Sequence, residues 1–155
     1  QFLYTVTSRL DRVETFVFST RLTRITRQLQ QRDVDRALAE ASRSVHDWAG
    51  GTRIGAAIKA FNYDWARRVL NRGAVVLIIS DGWDRGNVAL LGHEMARLQR
   101  MAHRVIWLNP HLGDPNFQPL VRGMAAALPH VDDFLPVHNL ASLEDLARRL
   151  SDINN

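Results

Sequence analysis

Apolar residues in this chain change their spacing several times, and each change marks the edge of an element. From Arg12 to Thr20 ("RVETFVFST") and again from Leu22 to Leu29 ("LTRITRQL"), β-branched and aromatic residues alternate with polar ones, the period of a half-buried strand. A short turn centred on Arg21 separates them, which predicts an antiparallel hairpin whose second strand turns arginine outward, as suits a sheet edge. From Asp33 the spacing becomes helical, with Val34, Leu38, Ala41, Val45 and Trp48 on one stripe. Beyond Gly50 and Gly51 a second helix is predicted on Ile54, Ala57, Ile58, Phe61, Trp65 and Val69, stopped by Asn71 and Gly73.

The next segment, "AVVLIIS" (Ala74 to Ser80), has no polar face, which predicts a strand buried on both sides in a parallel sheet covered by helices. Asp81-Gly82 ends it. A helix on Val88, Leu91, Met95, Leu98 and Ala102 follows, then a strand "RVIWLNP" ending at Pro110 and a breaker-rich loop "HLGDPNFQP". A short helix near Leu120 to Leu128, a strand in "DDFLPV" and a closing helix on Leu143, Leu146 and Leu150, opened by Ser142 and Asp145, complete the order. That alternation predicts an α/β fold, a three-layer, doubly wound and mostly parallel sheet with right-handed crossovers and one antiparallel edge strand. No internal repeat, linker or low-complexity segment divides it, so residues 1–155 are expected to form a single domain.

Composition narrows the class of protein. A chain of 155 residues, 46% apolar with five prolines and nine glycines, has the make-up of one globular core. Cysteine is absent, which excludes a disulfide framework, a thiolate zinc site and a thiol nucleophile. No apolar run is long enough to cross a bilayer and "QFLYTVTSRLDR" lacks the order of a signal peptide, so a soluble, cytoplasmic protein is expected. The net charge of +4 rests on arginine, Lys59 being the only lysine, which favours bidentate contacts to carboxylates or phosphates. The arginines are scattered rather than gathered into a basic block, which weighs against a nucleic-acid interface.

In a parallel sheet, ligands gather outside the carboxyl ends of the strands. Asp81 is placed there by its position after "AVVLIIS", and the glycine loop carrying Thr52 sits at a helix start on the way back toward the same sheet. A hydroxyl and a carboxylate are hard oxygens, suited to magnesium or another divalent cation. Two plainer readings stand beside that one: Thr52 as a helix cap and Asp81-Gly82 as a turn pair. Trp83, just past the strand end, is a candidate anchor for a partner or a packed loop residue, whereas Trp48, Trp65 and Trp107 fall on apolar stripes and read as core.

Other constellations carry less. "HEMAR" places His93 and Glu94 as a zinc-protease helix would, but Arg97 stands where the second histidine is needed. In "HVDDFLPVH", His130, Asp132, Asp133 and His138 lie close together, yet adjacent strand residues point to opposite faces, so strand-end roles are expected of the aspartates. The sequence has no phosphate-binding glycine loop and no nucleophile elbow.

Taken together, "GGTRIGAAI" and "VVLIISDG" resemble the threonine and aspartate segments of a von Willebrand factor A (VWA) domain. More narrowly, "DRVETFVFSTRLTRIT", "DWAGGTRIGAAIKAFN", "RRVLNRGAVVLIISDGWDRG", "RVIWLNP" and "RGMAAALPHVDDFLPVHNLASL" resemble, in order, the CoxE-like family of such domains. The resemblance implies a Rossmann-like VWA fold with a metal-ion-dependent adhesion site. There a divalent cation, commonly magnesium, is held by oxygens from three loops and an acidic group of a protein partner fills an open position. Thr52 matches that site's threonine and Asp81 its later aspartate, which often acts through water. The family's aspartate-x-serine-x-serine loop, with the remaining metal ligands, and its first central strand are expected upstream of Gln1, before "QFLYTVTSRL". The chain is therefore expected to be N-terminally incomplete and, taken alone, to bind magnesium weakly or not at all.

The resemblance further implies a non-enzymatic adaptor that works with a MoxR-type AAA+ ATPase in maturing a metalloenzyme such as carbon monoxide dehydrogenase. The alternatives from other classes are a metal-assisted phosphohydrolase using Asp81, with Asp84 as the nearby candidate acid or base, and nucleic-acid binding through arginine.

Overall fold

The computed structural model describes residues 4, 12–45, 48–112, 114–116, 121–136 and 146. Its centre is a parallel sheet of three strands, β3 (Val75–Ile79), β4 (Arg104–Asn109) and β5 (Asp133–Pro136), in the order β3-β4-β5. Val75 pairs with Arg104 at one end of the first ladder and Ile79 with Leu108 at the other, while Ile106 pairs with Asp133 in the second. Side chains alternate across the sheet, as the period of two requires. Ile78, Val105 and Trp107 turn to one face, where they pack with Ile54, Leu91, Met95, Leu98 and Met124 from three helices. Ile106, Leu108 and Leu135 turn to the other, where Leu146 is buried against them. The closing helix expected around Leu143, Leu146 and Leu150 otherwise lies outside the described residues.

The expectation of a central β3 is corrected here. The strand read as buried on both sides, β3, is an edge of the three-stranded sheet among the described residues, with Val75, Val76, Leu77 and Ile79 only half-buried. The fully covered strand is β4, where Val105 to Asn109 are all buried. An all-apolar run reports two greasy faces but not the number of paired edges, which is why β3 reads as central.

The hairpin forms as β1 (Phe16–Phe18) and β2 (Leu22–Arg24), a separate antiparallel pair among the described residues. Its second strand ends sooner than the alternation suggests. After Arg24 the chain turns into the short helix α1 (Thr26–Leu29), which places Ile25 and Leu29 together against Ala41. Burial of that pair overrides the strand preference of the β-branched residues. A polar clasp marks the switch: Thr15 N–H donates to the Thr26 hydroxyl at 2.8 Å, that hydroxyl donates to Glu14 at 2.7 Å, and Arg24 grips both Glu14 oxygens at 2.6 and 2.9 Å.

Helix α2 (Val34–Ser44) starts where the spacing predicts, with the Asp33 carboxylate accepting the Arg36 amide at 3.1 Å as an N-cap. Helix α3 (Ile54–Ala60) runs through a π turn, Phe61–Trp65, into α4 (Ala66–Val69). The π turn shifts the buried stripe by one residue. Instead of Phe61, Trp65 and Val69, the buried positions are Asn62 and Ala66, continuing the four-residue step from Ile54 and Ile58. A step of four drifts by about 40° per turn in a regular helix, and a wider turn absorbs part of that drift. Phe61 and Trp65 pack edge-on against Phe16 of the hairpin, with ring centroids 5.4 and 5.2 Å away.

Helix α5 (Val88–Met101), capped by Asn87, links β3 to β4, and α6 (Arg122–Ala127) followed by a 3-10 turn (Leu128–His130) leads into β5. Among the described residues no helix is long and apolar enough to cross a membrane.

Candidate functional site

All three parallel strands end on the same side, and the loops leaving that side build the candidate site. At the end of β3, Ser80 N–H donates to Leu108 O at 3.1 Å, and the buried Trp107 indole donates to Ser80 O at 2.8 Å. The residue before Asp81 is therefore pinned to the central strand by main chain and by a fully buried ring. The Ser80 hydroxyl then accepts Gly82 N–H at 3.1 Å, and one Asp81 oxygen accepts Trp83 N–H at 2.9 Å, so the chain folds back at once. Gly82 has φ +79°, a left-handed conformation natural to glycine. The turn reading of Asp81-Gly82 is thus correct as local structure, and it leaves Asp81 half-buried at the strand end.

Thr52 enters from the other side. Gly51 has φ +78°, and the loop it begins is held on two flanks: Arg53 N–H donates to Ser19 O at 3.0 Å, and Thr52 O accepts Arg85 N–H at 2.9 Å. The cap reading of Thr52 is not what the structure shows. The N-cap position of α3 is Arg53, which makes no side-chain cap, and the first helical amide, Ile54 N–H, is taken at 3.0 Å by Asp84, thirty residues further along. Thr52 has no helix end to satisfy, and its loop lies against residues 84–86 of the loop that begins at Asp81.

Asp84 is the residue whose role the sequence hides. One of its oxygens also accepts Gly86 N–H at 2.9 Å, and the other is buried with no partner. Space for this carboxylate exists because the second residue of α6 is Gly123. A Cβ there would come within 3.2 Å of the Asp84 Cβ and collide with the Gly82 carbonyl oxygen. The bond to Gly86 has a short-range signal, since an aspartate two residues before a glycine often folds onto the following amide. The bond to Ile54 has none.

Asn109, at the end of β4, carries no sequence signal of a site either. It is fully buried, its oxygen accepts His111 N–H at 2.8 Å, and its amide nitrogen has no partner. Trp83 is 63% exposed, so it belongs to the rim of this face and not to the core. Trp107 is core as expected, whereas Trp65 is half-buried, with the guanidinium groups of Arg24 and Arg68 5.7 and 4.5 Å from its ring centroid; the side chain of Trp48 lies outside the described residues.

The other clusters resolve into structural roles. Glu94 is buried and accepts the Asn62 amide at 2.9 Å. Asp132 accepts Val105 N–H at 2.7 Å, and Asp133 pairs with Arg104. His138 lies outside the described residues. Among the described residues, no group of three or more histidine, aspartate or glutamate side chains is arranged to hold a metal. Thr52 and Asp81 carry hard oxygens, on two loops joined by the bond from Arg85 N–H to Thr52 O.

A three-stranded parallel sheet with helices on it and this loop pair at its carboxyl end is the Rossmann-like architecture of a VWA domain. The chain belongs to the CoxE-like family of these domains: the family model for a VWA domain containing CoxE-like protein matches residues 1–143. Such domains mediate protein interactions, and this family is in general adaptor-like and non-catalytic. A search among curated proteins finds no match.

Proposed function

We propose that the carboxyl-end face of the sheet is a metal-dependent docking site for a protein partner. Thr52 and Asp81 would supply two of the oxygens around a magnesium or similar divalent ion, and an acidic side chain of the partner would complete the shell. The ion, when bound, would supply positive charge to attract that acidic group. The chain's own part is to hold the two donors in place and present Trp83 beside them. The observation that carries this reading is that Asp84, not Thr52, serves the helix end, while main-chain bonds bring the Thr52 loop against the loop of Asp81.

The partner we propose is a MoxR-type AAA+ ATPase, with the domain acting as a cytoplasmic adaptor in metalloenzyme maturation of the carbon monoxide dehydrogenase kind. Family membership supports the adaptor role, and an exposed tryptophan beside a charged site suits a partner anchor. The phosphohydrolase alternative is weakened because Asp84, its candidate acid or base, is committed to the Ile54 and Gly86 amides. The nucleic-acid alternative is weakened because Arg24 and Arg68 lie over Trp65, and Arg97 over Tyr63, so three arginines and two aromatic faces are spent on each other.

The test is a binding titration of the natural full-length protein against its cognate ATPase, with magnesium and with chelator. Retention that needs the metal and falls with Asp81→Ala, Thr52→Ala and Trp83→Ala supports the reading. Binding that is indifferent to chelator and to Asp81→Ala overturns it.

A further inference from the structure

We propose that Asp84 is the positioning residue of this face: its carboxylate sets where Thr52 stands by holding the start of α3, and it does so without being a metal ligand itself. The proposal rests on the metal-dependent reading above for its consequence, but not for its geometry. Three bonds define that geometry. Asp84 takes Ile54 N–H at 3.0 Å and Gly86 N–H at 2.9 Å on the same oxygen, and Arg85 N–H closes onto Thr52 O at 2.9 Å.

Residues 84–86 thus hold residues 52–54 at two points, the Thr52 carbonyl oxygen and the Ile54 amide. A loop entered through a left-handed glycine has little stiffness of its own. Beside the clamp, Arg53 N–H ties the same loop to Ser19 O. Holding a donor that binds weakly by itself is worth most when its freedom is removed before the ligand arrives.

The clamp is also built from the opposite direction. Gly123 lets α6 approach until only a side chain the size of hydrogen fits beside the Gly82 carbonyl and Asp84 Cβ. The carboxylate is thereby walled in, with its second oxygen buried and unpartnered. The oxygen that works is the one on the two amides.

Two substitutions in the natural full-length protein separate positioning from ligation. Asp84→Asn and Asp84→Ala remove the same charge, but only asparagine keeps an oxygen for the two amides. We measure manganese affinity by calorimetry and amide exchange at Ile54 and Gly86. Expected for Asp84→Ala is faster exchange at both amides and metal affinity weaker by roughly 10–100-fold, the range found when partners that orient ligands are removed. Asp84→Asn is expected to keep protection and to stay within about threefold of wild type in affinity, a difference under about 1 kcal/mol.

Asparagine as damaging as alanine to metal affinity, with protection intact, would make Asp84 a ligand and overturn the proposal. Alanine without effect on Ile54 exchange would overturn it as well. Should the wild type bind no divalent ion, the metal reading falls while the exchange comparison still decides whether Asp84 holds the Thr52 loop.

Discussion

The Asp84 carboxylate and the Ile54 amide meet at 3.0 Å across thirty residues of sequence, and through that bond the loop at the end of β3 finishes the helix that begins after Thr52. A carboxylate at a helix start satisfies an orphan donor and faces the positive end of the helix dipole. Its removal therefore acts on stability as well as position. Asp84→Ala is expected to lower the unfolding free energy by about 1–2 kcal/mol, the usual cost of losing a side-chain cap. Thr52→Ala, at a position that caps nothing, should cost less than about 0.5 kcal/mol. Urea unfolding of the two variants checks this; equal losses would return Thr52 to a capping role.

Gly82 and Gly123 set a closest-approach limit between the β3 loop and α6. A methyl on Gly123 meets the Gly82 carbonyl oxygen, which is main chain and cannot rotate away, whereas a methyl on Gly82 meets the flexible Met124 side chain but is strained by φ +79°. Gly123→Ala should therefore cost about 1–3 kcal/mol, as overpacking does. It should also raise amide exchange at Ala125 and Leu128, whose bonds to Val121 and Met124 belong to the displaced turn. Unchanged exchange there would mean that the loop, not the helix, gives way.

Much of this fold follows from spacing alone. The alternation in the hairpin, the stripe of α2, the all-apolar run of β3 and the glycine stops are local signals, each readable within about ten residues. What escapes is non-local. The second hairpin strand becomes α1 because Ile25 and Leu29 find Ala41, and the stripe of α3 slips because Asn62 finds Glu94. The site divides the same way: Asp81 and Thr52 are legible as strand end and helix start, but no pattern joins Asp84 to an amide thirty residues earlier.

Asn62 and Glu94 form a buried polar pair. The Asn62 amide reaches both the carboxylate of Glu94 and its carbonyl oxygen, at 2.9 and 3.0 Å, while its own oxygen is buried without a partner. Truncating Asn62 leaves the buried Glu94 carboxyl without this partner, so Asn62→Ala should cost about 2–3 kcal/mol, and Glu94→Ala less, because the Asn62 amide keeps its bond to the main-chain carbonyl of residue 94. Replacing both, as Asn62→Leu with Glu94→Met, should cost less than either single change because no polar group is left buried. A double-mutant cycle in denaturant measures it; additive losses would show that the pair does not act as a unit.

The clasp at the end of the hairpin makes one contribution to stability depend on pH. The hydrogen bond from Arg24 to Glu14, helped by Thr26, holds the Glu14 carboxyl below the ordinary glutamate value. A carboxyl lowered on folding stabilises the native state above its unfolded pKa, about 4.3, and that contribution disappears as pH falls through the lower folded value. Glu14→Gln should therefore lower Tm at pH 7 by more than it does at pH 3. The effect should be small, since the pair is partly exposed. A mutant difference that is the same at both pH values would remove the carboxylate from the account.

The π turn at Phe61–Trp65 has a consequence for how this molecule tolerates changes in length. A helix with one surplus residue contains slack, and the slack sits between a half seated on α5 and a half seated beside the hairpin. Deleting the exposed Tyr63 should draw the turn into ordinary helix while Ile54 and Ile58 keep their seats. The same deletion at Ala57 falls before the slack is reached and would rotate Ile58, the buried residue between it and the turn, by about 100° out of its seat. Helix content and melting temperature of the two deletions would then diverge, the first variant folding and the second failing. With the Thr52 loop at the first turn of this helix, an elastic link further along lets the far surface vary without moving the near one.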